Sequence, residues 1–95
     1  MTPEEAAEAL RAQADEVQMG LLMGDGGAPN TLKWISSLLA LAEQANSAGR
    51  RETEKAARKL AGVLRPESGV FDDDQTRRSV EEGLEALRDS FRTET

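Results

Sequence analysis

The residues with the clearest chemical potential in this sequence are glutamates spaced three positions apart. Glu5 and Glu8 form one pair, and Glu82 and Glu85 form another. This spacing places both carboxylates of a pair on one face of a helix. Because Mg²⁺ prefers oxygen ligands, one interpretation is a magnesium-dependent carboxylate enzyme. Such pairs are also common in any glutamate-rich helix, so the pattern is not specific.

The rest of the chemical inventory argues against catalysis. The chain has no cysteine, no histidine and no tyrosine, so it lacks the commonest general base, the commonest zinc ligand and any thiol nucleophile. We therefore predict that the protein is not an enzyme. We also predict that it binds no cofactor and no metal.

Acidic side chains are the second feature, in a chain whose formal net charge is −6. An acidic helical surface is usually only solvated, but it can also attract a basic partner. In the more specific alternative, the protein mimics nucleic acid and blocks the basic groove of a nucleic-acid-binding effector, as small phage-encoded inhibitors of bacterial defence systems do. The acidic residues predicted to face a partner are Glu4, Glu8, Asp15, Glu81, Glu85 and Asp89.

A basic segment interrupts this acidic chain. Residues 50–66 contain six basic and two acidic side chains, and four of the bases fall on one helical face: Arg51, Lys55, Arg58 and Lys59. They could contact phosphates, or they could form a solvated face paired with the acidic first and fourth helices. No aromatic residue lies among them, so direct nucleic-acid binding is the less favoured interpretation.

The only tryptophan, Trp34, offers a candidate for protein binding. At helical spacing it shares a flank with Leu38 and Leu41. Tryptophan is favoured at binding hot spots, and it is equally suited to be the largest core residue of a small bundle. We predict that this flank, together with the acidic faces, forms a partner-binding surface.

Four helical segments must position these residues, and their ends are marked in the sequence. Thr2, Pro3 and Glu5 are typical of a helix start that carries a capping box. The segments 24–30 and 65–72 contain glycine, proline and aspartate that interrupt a helix, and Gly49 is typical of a helix end. The predicted helices span about 3–23, 31–48, 51–64 and 73–92.

Apolar residues recur along each helix at intervals of three and four, which is typical of a helix with one buried face. Together with the short connections, this predicts an all-α fold: a small antiparallel bundle of four helices forming one domain over residues 1–95. A small core of this kind makes a homodimer plausible. The predicted core residues are Leu10, Val17, Leu21, Ile35, Leu38, Leu39, Leu60, Leu64, Phe71, Leu84, Leu87 and Phe91.

The sequence contains no basic segment followed by an apolar stretch, as a signal peptide would have. It also contains no apolar run long enough to span a membrane. We therefore expect a cytoplasmic location and no membrane partner. The function predicted from the sequence is that of a non-enzymatic regulator, adaptor or inhibitor that acts by binding another protein.

Overall fold

Four α-helices form the computed structural model, which describes residues 2–23, 28–64 and 74–93. No strand occurs within these ranges, so the predicted all-α class is confirmed. Three of the four predicted helices match the observed bounds to within one residue at each end. The helices are α1 (Pro3–Met23), α2 (Ala28–Ser47), α3 (Arg51–Val63) and α4 (Asp74–Thr93).

The start of α1 has the capping box predicted from the sequence. The amide of Glu5 donates to Thr2 Oγ1 at 3.2 Å, and the amide of Thr2 donates to Glu5 Oε1 at 3.0 Å. Two amides that an α-helix leaves without partners are thereby satisfied.

Helix α2 begins three residues earlier than predicted, at Ala28 instead of residue 31. Pro29 is tolerated there because the amides of a first helical turn have no partner within the helix, so the missing N–H of proline costs no bond. Proline in the first turn is therefore compatible with the earlier start.

A tight turn ends α2 and leads directly into α3. Gly49 has a φ of +85°, a conformation that glycine adopts without steric cost. The amide of Gly49 donates to Asn46 O at 3.0 Å, and the amide of Arg50 donates to Ala45 O at 2.8 Å. This pattern is a Schellman motif, and it confirms the predicted role of Gly49 as the helix stop.

Each helix packs on its neighbours in the order α1, α2, α3, α4 and back to α1. Helices α1 and α2 are antiparallel, because Arg50 reaches Pro3 at one end and Trp34 meets Gly20 at the other. Helices α3 and α4 are antiparallel too, because the start of α3 contacts the end of α4 at Thr53 and Ser90. The guanidinium of Arg77, near the start of α4, reaches the carbonyl of Leu21, near the end of α1. The contacts of α3 with α2 and with α4 are more extensive than those that α1 makes with either neighbour. The backbone of α3 is therefore the most closely surrounded by other helices and that of α1 the least.

The core follows the predicted seams with two differences. Leu39 is exposed and Ile35 is only half-buried. The sequence predicted both as core, but helix α2 turns its Trp34 flank inward instead. Phe71 was also predicted as a core residue, and it lies outside the described residues. The buried apolar side chains include Leu10, Val17, Leu21, Trp34, Leu38, Leu60, Leu64, Val80, Leu84, Leu87 and Phe91.

Helices α1 and α2 approach closely where Gly20 faces the indole of Trp34. A Cβ atom built on Gly20 would lie 2.7 Å from Trp34 Cζ2 and closer still to Cη2. Real Cβ atoms do not approach carbon this closely, so this crossing requires glycine. The six-membered ring of Trp34 occupies the space that a side chain on Gly20 would take.

Candidate functional site

The structure corrects the predicted binding flank of α2. Trp34 is 4% exposed and Leu38 is fully buried, so neither is available on the surface of the folded chain. Leu41 is half-buried. Because α1 covers this flank at Gly20, the interpretation of Trp34 as a core residue is the one that fits the structure.

Large apolar side chains are instead exposed elsewhere on the first two helices. They are between 42% and 70% exposed, and among the described residues all of them fall between positions 19 and 39. The sequence does contain a signal for the residues of α1, because they lie off the seam that runs from Ala6 through Leu10 to Leu21. The exposed residues are Met19, Leu22 and Met23 on α1, and Leu32 and Leu39 on α2.

One of these residues, Leu22, lies on the wall of a groove between α1 and α4. The groove has a volume of about 380 Å³ and is open to solvent. Leu21 and Leu84 contribute apolar surface to it and are almost completely buried, whereas Leu22 is 70% exposed. The groove thus combines an apolar base with an exposed leucine at its edge.

Charged residues of α4 line the same groove: Glu81, Glu85, Arg88, Asp89 and Arg92. Arg92 Nη2 lies 2.8 Å from Asp89 Oδ1, and Arg88 Nη2 lies 2.8 Å from Asp15 Oδ1 on α1. Within the described part of the chain, Glu81 and Glu85 form no ion pair. The two arginines that line the groove are therefore paired, and the two carboxylates four residues apart are not.

The predicted acidic surface is only partly assembled. Glu81, Glu85 and Asp89 share the groove, and Asp15 is joined to it through Arg88. Glu4 and Glu8 are exposed on the first half of α1 and do not line this groove. The sequence predicted that these acids share one surface, but it could not place the groove among them, because the groove depends on how α1 and α4 pack.

The predicted basic face of α3 is partly neutralised. Arg58 binds Glu54 Oε2 at 3.0 Å and Glu43 Oε2 at 3.1 Å. The hydrogen bond that Arg58 donates to Glu54, with smaller effects from Glu43, raises the pKa of Arg58 above its ordinary value. The acidic partner of this face therefore includes α2, whereas the sequence predicted α1 and α4.

The remaining bases of that face do not form an uninterrupted patch. Lys55 and Lys59 line a second groove, between α3 and α4, together with Glu52 and Asp89. Arg51 is exposed at the start of α3. Acidic residues beside the lysines make this surface mixed in charge, which does not favour phosphate binding.

The paired glutamates do not converge. Glu5 is engaged in the capping box of α1, where the hydrogen bond from the Thr2 amide lowers the pKa of its carboxyl group. Across the described ranges, no three acidic side chains come close enough to hold a metal ion. The arrangement of Glu5, Glu8, Glu82 and Glu85 thus gives no support to the magnesium interpretation.

Buried polar groups occupy the opposite end of the bundle, where α3 begins. The hydroxyl of Ser90 donates to Leu87 O at 2.6 Å, and its oxygen lies at hydrogen-bond distance, 3.0 Å, from the hydroxyl of Thr53. Arg50 is 6% exposed, and its Nε donates to the carbonyl of Pro3 at 2.7 Å. Its Nη1 is buried and has no hydrogen-bond partner among the described residues. Arg50 therefore fastens the start of α1 to the turn between α2 and α3.

Comparison with known proteins does not add to this description: no family model, no curated protein and no solved structure matches the chain. None of the four helices, as far as the chain is described, has both the length and the apolar character needed to cross a membrane.

Proposed function

We propose that this protein is a non-enzymatic helical module of the cytoplasm that binds another protein, as a regulator, adaptor or inhibitor. The observation that carries the proposal is the group of large apolar side chains exposed at Met19, Leu22, Met23, Leu32 and Leu39. Single exposed apolar residues are ordinary. Here five occur on α1 and α2, two helices that pack against each other, and we interpret them as surface that a partner covers.

The charge pattern gives the proposal further support. Interfaces commonly combine an apolar centre with a polar rim, and Leu22 lies beside the carboxylates of Glu81 and Glu85 in the α1/α4 groove. A partner of opposite charge would associate faster through such a rim.

A photo-crosslinking experiment tests the proposal in cells that normally contain the protein. A photoreactive phenylalanine is placed at Leu22, at Leu32 or, as the control, at Gln44, which is exposed on the second half of α2. We expect a discrete heavier product from the two apolar positions and none from Gln44. Absence of a discrete product, or the same product from all three positions, would contradict the proposal. A product of twice the 10.3 kDa chain mass would indicate that the chain binds itself.

The alternative of an acidic nucleic-acid mimic has less support. A mimic needs carboxylates in a continuous, phosphate-like series, but Arg88 and Arg92 lie among the acids of α4. A mimic would lose its partner steeply between low and moderate salt and would compete with DNA or RNA. Those two measurements distinguish the mimic from a partner held mainly through apolar contacts.

A further inference from the structure

We propose that the groove between α1 and α4 binds a basic amphipathic helix of a partner protein. The inference rests on the proposed protein-binding function and specifies the kind of partner. The occupant places apolar side chains against Leu22 and Leu84, and it places lysine or arginine beside Glu81 and Glu85.

The apolar part of the groove supplies the first half of the argument. Leu22 is 70% exposed on α1, and Leu84 forms part of the groove wall on α4. A polar chain in this position would leave Leu22 in contact with water. An apolar side chain lying over Leu22 removes that surface from solvent, which is favourable.

The charges supply the second half. Glu81 and Glu85 lie four residues apart on one helix, and like charges at that spacing repel and destabilise the helix. Arg88 and Arg92, the two bases that line the groove, are bonded to Asp15 and Asp89. Three acids and two bases line the groove, so the net charge of its lining is negative. A cation from outside relieves the repulsion between Glu81 and Glu85.

The shape of the groove favours a helix as the occupant. Its lining residues on α4 run from Glu81 to Arg92, a distance of about 16 Å along the helix axis. Two adjacent antiparallel helices present a straight furrow into which the side-chain ridge of a third helix packs. This is the usual way in which an amphipathic helix is recognised, with apolar anchors spaced three and four residues apart.

Direct binding of a model peptide tests the inference on the full chain. The probe is a fluorescein-labelled helical peptide of about 18 residues, five helical turns, with leucine on one face and lysine on the other. A second peptide has glutamate in place of every lysine. Fluorescence anisotropy with increasing protein is expected to show saturable, one-to-one binding of the lysine peptide and none of the glutamate peptide.

Two pairs of variants show whether the groove is the binding site. The first pair consists of two double variants. One combines Glu81→Gln and Glu85→Gln in the groove. The other, its control, combines Glu4→Gln and Glu8→Gln and removes the same charge at the same spacing outside the groove. We expect about a tenfold loss of affinity for the groove variant, the change for losing two exposed ion pairs. The control is expected to bind within about twofold of the wild type.

The second pair tests the apolar contact. Leu22→Ser removes the groove leucine, whereas Ala12→Ser introduces the same side chain at an exposed position of α1 that does not line the groove and is not among the exposed large apolar residues. We expect about a tenfold weakening for Leu22→Ser and little change for Ala12→Ser. Circular dichroism of all four variants establishes that each remains helical.

Several outcomes would overturn the inference. Equal losses in the groove and control variants would show only non-specific attraction between a cationic peptide and an acidic protein. No binding of the lysine peptide would exclude this class of partner. Self-association of the unlabelled chain that the Glu81 and Glu85 double variant abolishes would identify a second copy as the occupant. If the peptide fails but crosslinking at Leu22 finds a partner, the proposed function stands and this inference alone is wrong.

Discussion

Replacing Gly20 with alanine would test the closest contact in the protein. Gly20 lies within α1, opposite the buried ring of Trp34. The new methyl group would lie 2.7 Å from Trp34 Cζ2 and nearer to Cη2. Because the indole is rigid and only 4% exposed, it cannot rotate away into solvent. The substitution must separate α1 from α2 or displace the ring.

Two opposing effects set the size of the expected change. Alanine in place of a helical glycine gains about 0.5–1 kcal/mol. Forcing an extra group into a well-packed core costs about 1–3 kcal/mol. The cost exceeds the gain, so we expect Gly20→Ala to lower the free energy of unfolding by about 1 kcal/mol.

The matched control is Gly62→Ala. Gly62 lies in the last turn of α3 and is exposed, and a Cβ there would meet no described atom within 4 Å. Only the gain in helix propensity applies, and we expect an increase in stability of about 0.5–1 kcal/mol. The two variants should therefore differ by about 2 kcal/mol in urea unfolding followed by circular dichroism.

Fluorescence of the single tryptophan provides an independent reading of the same variant. If the ring is displaced towards water, the emission of Gly20→Ala should shift to longer wavelength than that of the wild type, and Gly62→Ala should not change it. If Gly20→Ala is as stable as Gly62→Ala and its emission is unchanged, the close packing of α1 on Trp34 is wrong.

Three further predictions concern the core, the first helix and the surface. Trp34→Ala should lower the free energy of unfolding, measured in urea, by about 3–5 kcal/mol. A change below about 0.5 kcal/mol would show that Trp34 is a surface residue and not part of the core. Because the capping box lowers the pKa of Glu5 below 4.5, it stabilises α1 above that pH, and the stabilisation is lost as the pH falls through the lowered pKa. The Thr2 hydroxyl also lowers this pKa, as a smaller cause than the Thr2 amide. Thr2→Ala removes the hydroxyl and keeps the amide, so it should raise the pKa of Glu5 part of the way towards its ordinary value in an NMR titration, and an unchanged value would contradict the capping box. A double-mutant cycle on Asp15 and Arg88 should give about 0.2–1 kcal/mol, less at high salt; a larger, salt-independent coupling would show that this exposed pair is misplaced.

Local patterns in the sequence were sufficient for the helices, except for the start of α2, and for the caps at Thr2 and Gly49. The capping box of α1 and the turn at Gly49 are made by hydrogen bonds between residues three to five positions apart. Their formation therefore does not depend on the rest of the fold. The seams of α1 and α4 were also predicted, because one narrow apolar stripe leaves a single choice of inward face. Leu10 and Leu87 are accordingly buried as expected.

The orientation of α2 could not be derived in the same way. Its apolar arc is wide enough that either flank could face the core, and the choice depends on the neighbouring helix. Gly20 decides it, because only a residue without a side chain lets α1 approach the ring of Trp34. This is a contact between two helices, and no periodicity within either one predicts it. The error in placing Leu39 has the same origin.

The residues of the candidate site could likewise be predicted only in part from the sequence. The sequence identified Glu81 and Glu85 as surface acids, but not Leu22 beside them. Nor could it show that Arg88 would be paired with Asp15 across the helix interface. Which charges remain without a partner depends on distances between helices, and those distances exist only in the folded chain.

The sparser backbone contacts of α1 have a consequence for motion within the native state. Segments with few close contacts are the ones that open at the lowest free-energy cost, and the more extensive contacts lie between α2 and α3 and between α3 and α4. We therefore expect the first partial opening to release α1, so that in native-state hydrogen exchange the amides of α1 form the group that exchanges before those of α3. Such an opening would expose the indole of Trp34 and the side chain of Leu38 to water, and the fluorescence of the single tryptophan would report it.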